Sequence, residues 1–132
     1  MLQVFTTKFK SNGEKGNCLA AALASVLEID LIDVPQFEEM TRSTWKSALF
    51  DWADLNGYII EFTNERPAGY GVGVGVHPDG GLHAVVVFNG EFYFDTNGTD
   101  VFYQEHRYYI KVSRRNTNIE TYNNSFLQSL PL

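Results

Sequence analysis

The chain has 132 residues, 16 acidic side chains against 10 basic ones, a formal charge of −6 and a single cysteine. That length suits one core burying roughly two thirds of the surface of the unfolded chain, and an acidic balance with no basic stripe excludes a nucleic-acid footprint or an anionic membrane surface. One cysteine forms no internal disulfide, no apolar run approaches the roughly twenty residues of a membrane span, and the polar Lys8, Lys10, Ser11 and Asn12 interrupt any signal-peptide core. The expectation is a cytoplasmic protein with a reduced thiol.

Leu2 to Phe9 mixes β-branched, threonine and aromatic residues and reads as a short edge strand or an extended arm. Ser11 to Gly16 is a turn-rich loop. From Gly16 to Ile29 the apolar residues at 19, 23, 26 and 27 recur at helical spacing, while Ala20, Ala21, Ala22 and Ala24 leave almost no polar face. Such a helix is buried nearly all round. Asn17 reads as its N-cap, which places Cys18 at the first helical position, where unpaired N–H groups and the positive dipole end favour a thiolate. A free cysteine also packs as a small hydrophobe, so the helix position alone does not assign a role.

The run Asp30 to Phe37 reads as a helix exit and one tight turn, with Pro35 blocking continuation. Ser43 is expected to cap a second helix from Thr44 to Leu55, with Trp45, Leu49, Trp52, Ala53 and Leu55 on its apolar side and Asn56 and Gly57 ending it. Both tryptophans are expected in the core. Tyr58 to Phe62 reads as a strand, Thr63 to Gly69 as a polar loop, and the chain from Tyr70 to about Ser113 as further strands. Residues 1–113 would form one α+β domain, with a buried N-terminal helix and a second helix on a mostly antiparallel sheet. Residues 114–132 read as a polar tail that Tyr122, Phe126 and Leu127 could dock onto the body. Gly71, Gly73 and Gly75 alternate with Val72, Val74 and Val76, so one face of that strand is bare, and the expectation is that an Ala-rich helix or a substrate backbone approaches it.

Leu82 to Phe88, then Asn89 and Gly90, then Glu91 to Asp95 is a strand, turn, strand pattern. A two-residue Asn-Gly turn would set Ala84 opposite Asp95 and put His83 on the wrong face. A three-residue loop with Gly90 in a left-handed bulge would instead pair Val87 with Glu91 and His83 with Asp95, and would place Ala84, Val86, Phe92 and Phe94 on one apolar face. The bulged hairpin is therefore expected. Alone, His83 also reads as a structural histidine and Asp95 as a strand-end turn residue.

Together with Cys18 they read as a candidate catalytic set. A thiol with a pKa of about 8.5 is mostly neutral at pH 7 and needs an imidazole to take its proton, which His83 supplies. Asp95 would fix the tautomer from the other ring nitrogen, and the Cys18 backbone N–H plus one side-chain amide would meet the oxyanion. Rapid iodoacetamide labelling near neutral pH, slowed by His83→Ala, is expected. His77, in a loop with Pro78, Asp79 and Gly80, is the alternative base if that loop overhangs the helix start. The three histidines and one cysteine lack zinc-ligand spacing, and no metal or other cofactor is expected.

At Gly16–Asn17–Cys18 with its Ala-rich helix, at Leu31 to Phe37, and at Gly81 to Val85 with an acid on the next strand, the chain resembles a minimal papain-like cysteine peptidase over about Asn12 to Asp95. In layout it is similar to bacteriocin-leader peptidase domains and to small proteins of bacteria and their phages. The resemblance implies a thiol nucleophile at Cys18, a base at His83, an orienting acid at Asp95, and hydrolysis of a peptide, isopeptide or other amide bond in an extended peptide or protein substrate. The family's oxyanion glutamine commonly lies six residues before the cysteine; that position here is Asn12, one methylene shorter, and Asn17 and Gln3 are the other candidates. The segment Thr96, Asn97, Gly98 also departs from the family. The competing readings are an acyl transferase using the same triad, and a binding or inhibitory module presenting Tyr70, Phe102, Tyr103, Tyr108 and Tyr109.

Overall fold

Four alanines between positions 20 and 24 let the first helix lie flat on the sheet behind it, because a methyl group keeps the backbones close without leaving voids. In the computed structural model, which describes residues 1–9, 13 and 15–115, this helix, α1, spans Cys18–Leu27 and packs across the middle of a sheet. It stops where Glu28 turns left-handed at φ 60°, its N–H and that of Ile29 both returning to the Ala24 carbonyl. The segment after it holds two 3₁₀ turns, Leu31–Asp33 and Phe37–Glu39, rather than one tight turn.

Helix α2, Trp45–Leu55, starts after Thr44 with no side-chain cap. Ser43 does not cap it; its hydroxyl lies 3.3 Å from Thr41 Oγ1, and Thr41 closes the turn by bonding Thr44 at 2.8 Å. Leu49 and Ala53 are buried and Trp45 and Trp52 pack on the core, but Leu55 is 85% exposed and does not belong to the apolar stripe.

Five antiparallel strands follow: β1 Tyr58–Thr63, β2 Tyr70–Val76, β3 Leu82–Phe88, β4 Glu91–Phe94 and β5 Glu105–Arg114, in the order β1-β5-β2-β3-β4. The fold is α+β, with both helices on one face of this sheet against Val72, Val74, Ala84, Val86, Phe94 and Ile110. The opposite face carries a smaller cluster of Val85, Val87, Tyr103 and Tyr109. Helix α1 packs on the valine face of the glycine strand, not on its bare face. The Tyr103 ring covers the bare face, lying where side chains at Gly73 and Gly75 would stand, while Gly71 faces Pro67.

Of the two readings of the N-terminal stretch, the extended arm is observed: the arm bonds Ser25 on α1 through the Val4 N–H (2.9 Å) and Thr96 after β4 through the Thr6 N–H (2.8 Å). No helix among the described residues is long and apolar enough to cross a membrane. The docking expected of Tyr122, Phe126 and Leu127 falls outside the described residues, while β5 itself runs to Arg114.

Candidate active site

The β3–β4 hairpin differs from expectation in its turn and agrees in its outcome. Asn89 and Gly90 both have positive φ (52° and 84°) and form a two-residue type I′ turn, so Phe88 pairs with Glu91 and Val87 with Phe92. The three-residue loop is therefore absent, and Phe92 lies on the Val87 face rather than with Ala84 and Phe94. One residue further the register shifts: Val86 pairs with Phe94, leaving Tyr93 as the extra residue of a bulge. The bulge restores the parity that the turn had reversed. His83 and Asp95 are not cross-strand partners; the strand ends at Phe94, and Asp95 opens the turn beyond it on the face that His83 shares.

There His83 Nε2 and Asp95 Oδ1 meet at 3.0 Å, with the histidine 3% and the aspartate 1% exposed. Asp95 is held by every atom it offers. Oδ1 also accepts the Asn97 N–H (3.0 Å), and Oδ2 accepts the Thr99 hydroxyl (2.7 Å) and the Val101 N–H (3.1 Å). Burial alone would raise this carboxyl, but the Thr99, Asn97 and Val101 donors and the imidazole outweigh it and hold Asp95 below its usual range. Thr96, Asn97 and Gly98 form with Asp95 the Asx turn that builds this cradle.

An ionised Asp95 accepts only, so Nε2 carries the ring proton and Nδ1 is left as the basic nitrogen of a neutral ring. Burial lowers His83 more than the Asp95 charge raises it, and electrostatic repulsion from His77, whose ring centroid is 4.9 Å away, lowers it further. His77 does lie beside the site, as the overhanging-loop reading required. Its Nδ1 accepts the Asp79 N–H at 3.1 Å and is turned to its own loop.

Cys18 sits at the first position of α1, half-buried and reduced. It lines two cavities together with His83. The larger, about 620 Å³, has walls of Phe37, Met40, Trp45, Val74 and Tyr108, with Glu38 among its lining; the smaller, about 360 Å³, adds Lys8, His77 and Asn97. Among the described residues no hydrogen bond joins the sulfur to the imidazole. The site does not favour a resting thiolate. Burial pushes the thiol up to about 11; the Ala84 and Leu19 N–H groups pull it down, and the Glu38 and Asp95 charges push it up. Fast reaction with iodoacetamide near neutral pH does not follow from this environment.

The oxyanion candidates fare differently. Asn17 makes no side-chain cap and lines neither cavity; its Oδ1 accepts the Thr7 and Lys8 N–H groups (3.0 and 3.1 Å) and its Nδ2 donates to the Thr7 hydroxyl (2.8 Å). Gln3 is exposed on the arm and lines neither cavity, and Asn12 lies outside the described residues. The helix end is closed from a distance, by Glu38 Oε2 accepting the Leu19 N–H at 2.7 Å, which no local capping pattern announces. Of the five aromatic residues offered as an interface, Tyr103 and Tyr109 are buried, Tyr70 and Tyr108 are half-buried and only Phe102 is exposed; that face is not a continuous exposed surface. Among the described residues no three His, Cys, Asp or Glu side chains converge to hold a metal ion. Comparison with protein-family models, with curated proteins and with solved structures finds no match to this chain.

Proposed function

We propose that this protein is a papain-like thiol hydrolase that cleaves an amide bond in a peptide or protein. The observation that carries the reading is the buried 3.0 Å bond between His83 and Asp95 on a ring that shares both of its cavities with the Cys18 sulfur. An imidazole locked in one tautomer by a buried carboxylate, beside a thiol, is the arrangement that nucleophilic acyl transfer requires.

Both partners are neutral at rest, so the thiolate is made during attack. The substrate lies extended, with an apolar side chain among Phe37, Trp45 and Tyr108 and its carbonyl carbon at the sulfur. Nδ1 of His83 takes the thiol proton as the carbon–sulfur bond forms, and Asp95 stabilises the imidazolium. The Cys18 N–H, at the first position of α1, donates to the oxyanion. Collapse of the intermediate breaks the carbon–nitrogen bond, and the imidazolium returns the proton to the departing amine. Water, deprotonated by the same nitrogen, then releases the acyl group as a carboxylic acid.

The test is covalent labelling with a peptidyl vinyl sulfone bearing an aromatic side chain. Labelling is expected at Cys18, and His83→Ala is expected to slow it by about 10²-fold or more, the usual contribution of a positioned base. Equal rates in the two proteins would overturn the reading. Iodoacetamide, which does not occupy the cavity, is expected to label slowly at pH 7 and faster as the pH climbs toward the thiol value near 11.

A further inference from the structure

Two groups compete for the positive end of α1. The sulfur of Cys18 is carried there by the chain, and the Glu38 carboxylate is delivered from the second 3₁₀ turn, where Phe37, 1% exposed, anchors the turn against Trp52 with ring centroids 6.0 Å apart. Glu38 holds the stronger position. Its Oε2 takes the Leu19 N–H at 2.7 Å, and the N–H groups of Ala20 and of Glu38 itself also face the carboxylate. Asn17, which stands where a cap belongs, turns its side chain to Thr7 and Lys8 instead. The second carboxylate oxygen, Oε1, is buried with no hydrogen-bond partner among the described residues, in a side chain lining the same cavity as Cys18 and His83. A carboxylate kept half-unsatisfied in a cavity wall costs stability, which a plain cap elsewhere would not.

We propose that Glu38 is a positioning residue for Cys18: it closes the N-terminus of α1 and takes up the helix dipole, so that the sulfur rests as a thiol and yields its proton to His83 during attack. The inference rests on Cys18 being the nucleophile and concerns how its reactivity is held in check. It adds to burial, the larger cause, in keeping a cysteine at a helix start from being activated there. The other charged groups near the sulfur act less directly. His83 and Asp95 face it from the hairpin, and the Asp95 charge is already satisfied by four donors. His77 and Asp79 lie on the loop after β2, Lys8 on the arm, Lys15 just before α1 and Arg42 ahead of α2. Glu38 is the nearest of these to the helix end in the hydrogen-bonded sense, and its charge raises the thiol more than that of Asp95 does.

The test uses the full chain, whose single cysteine makes the readout unambiguous. The rate of reaction with a neutral dipyridyl disulfide is followed against pH for the parent, Glu38→Gln and Glu38→Ala, alongside thermal unfolding. Both variants are expected to move the profile to lower pH. Each unit of that shift multiplies the thiolate fraction tenfold and loses part of the gain through weaker nucleophilicity, a net acceleration of roughly three- to fourfold at pH 7. Glu38→Gln, which still offers an oxygen to Leu19, is expected to melt near the parent, whereas Glu38→Ala melts earlier. That combination separates the charge from the cap. A Glu38→Gln profile that stays in place or moves to higher pH overturns the inference, and so does failure of both variants to fold, which would make Glu38 a part of the fold alone. If one variant fails to fold, the profile of the other decides. An unmoved profile in a protein that His83→Ala disables sinks this inference alone; vinyl sulfone labelling indifferent to His83 sinks the reading beneath it.

Discussion

Asp95→Ala is expected to destabilise the protein by about 3–5 kcal/mol in urea unfolding, the cost of removing one member of a buried charged network. The magnitude follows from what is left behind. The buried His83 Nε2–H and the part-buried Asn97 N–H, Val101 N–H and Thr99 hydroxyl lose their acceptor at once; a buried donor without a partner costs on the order of 1–3 kcal/mol, and the part-buried ones cost less because water reaches them. Asp95→Asn separates fold from chemistry. It is expected to cost less stability, yet its amide turns a donor toward the ring and selects the wrong tautomer, so vinyl sulfone labelling of Cys18 is expected to fall by roughly 10³–10⁴-fold. The parent also carries a pH signature. Because Asp95 has a folded-state pKa below its unfolded value, its contribution is present above the unfolded value of about 3.9 and is lost as pH falls through the lower folded value. Acid unfolding of the parent is therefore expected to steepen in that range, and Asp95→Asn to flatten it. An acid limb with the same slope in both proteins would contradict the assignment.

Gly75→Ala is expected to be as damaging, for a reason that has nothing to do with chemistry. A methyl group at 75 runs into the Tyr103 ring and the Glu105 carbonyl. The carbonyl belongs to the backbone of β5 and cannot swing aside, so the strand pair must part, at about 3 kcal/mol or more. Gly73→Ala meets only side-chain atoms, Tyr103 Oη at 2.7 Å and Val87 Cγ1 at 2.9 Å. Double variants with Tyr103→Ala divide the two cases: truncating the ring is expected to recover part of the Gly73→Ala loss and little of the Gly75→Ala loss. Equal recovery at both positions, measured as urea midpoints at constant m-value, would show that the ring alone enforces the glycines.

What was readable beforehand, and what was not, follows from the range of each interaction. Helix α1 declares itself because leucines at helical spacing among alanines admit few other structures; β2 does the same through its glycine–valine alternation and β3 through an unbroken apolar run. The hairpin shows the limit. Apolar alternation fixes the parity of His83 and Asp95, which is why the two were expected on one face, but it does not say where the extra residue goes; Asn89–Gly90 took the tightest turn and Tyr93 absorbed the difference. The glycine strand announced a missing row of side chains without naming its occupant, because Tyr103 arrives from a separate segment. Glu38 was invisible for a related reason. Capping rules look at adjacent residues, and this cap comes from 19 positions downstream. The Asx turn at Asp95–Thr96–Asn97–Gly98, by contrast, is local, and its Asp, Asn and Gly are residues that favour such a turn.

The bulge at Tyr93 also bears on how copies of this chain behave toward one another. Strand β4 borders the sheet, and a straight border strand offers its free backbone groups to any extended segment that drifts alongside. Here the repeat is broken part-way along, so an intruding chain that starts in register is thrown out of it within a few residues. A single extra residue, needed to swing a carboxylate under an imidazole, thus leaves this flank of the molecule a poor seed for fibril growth.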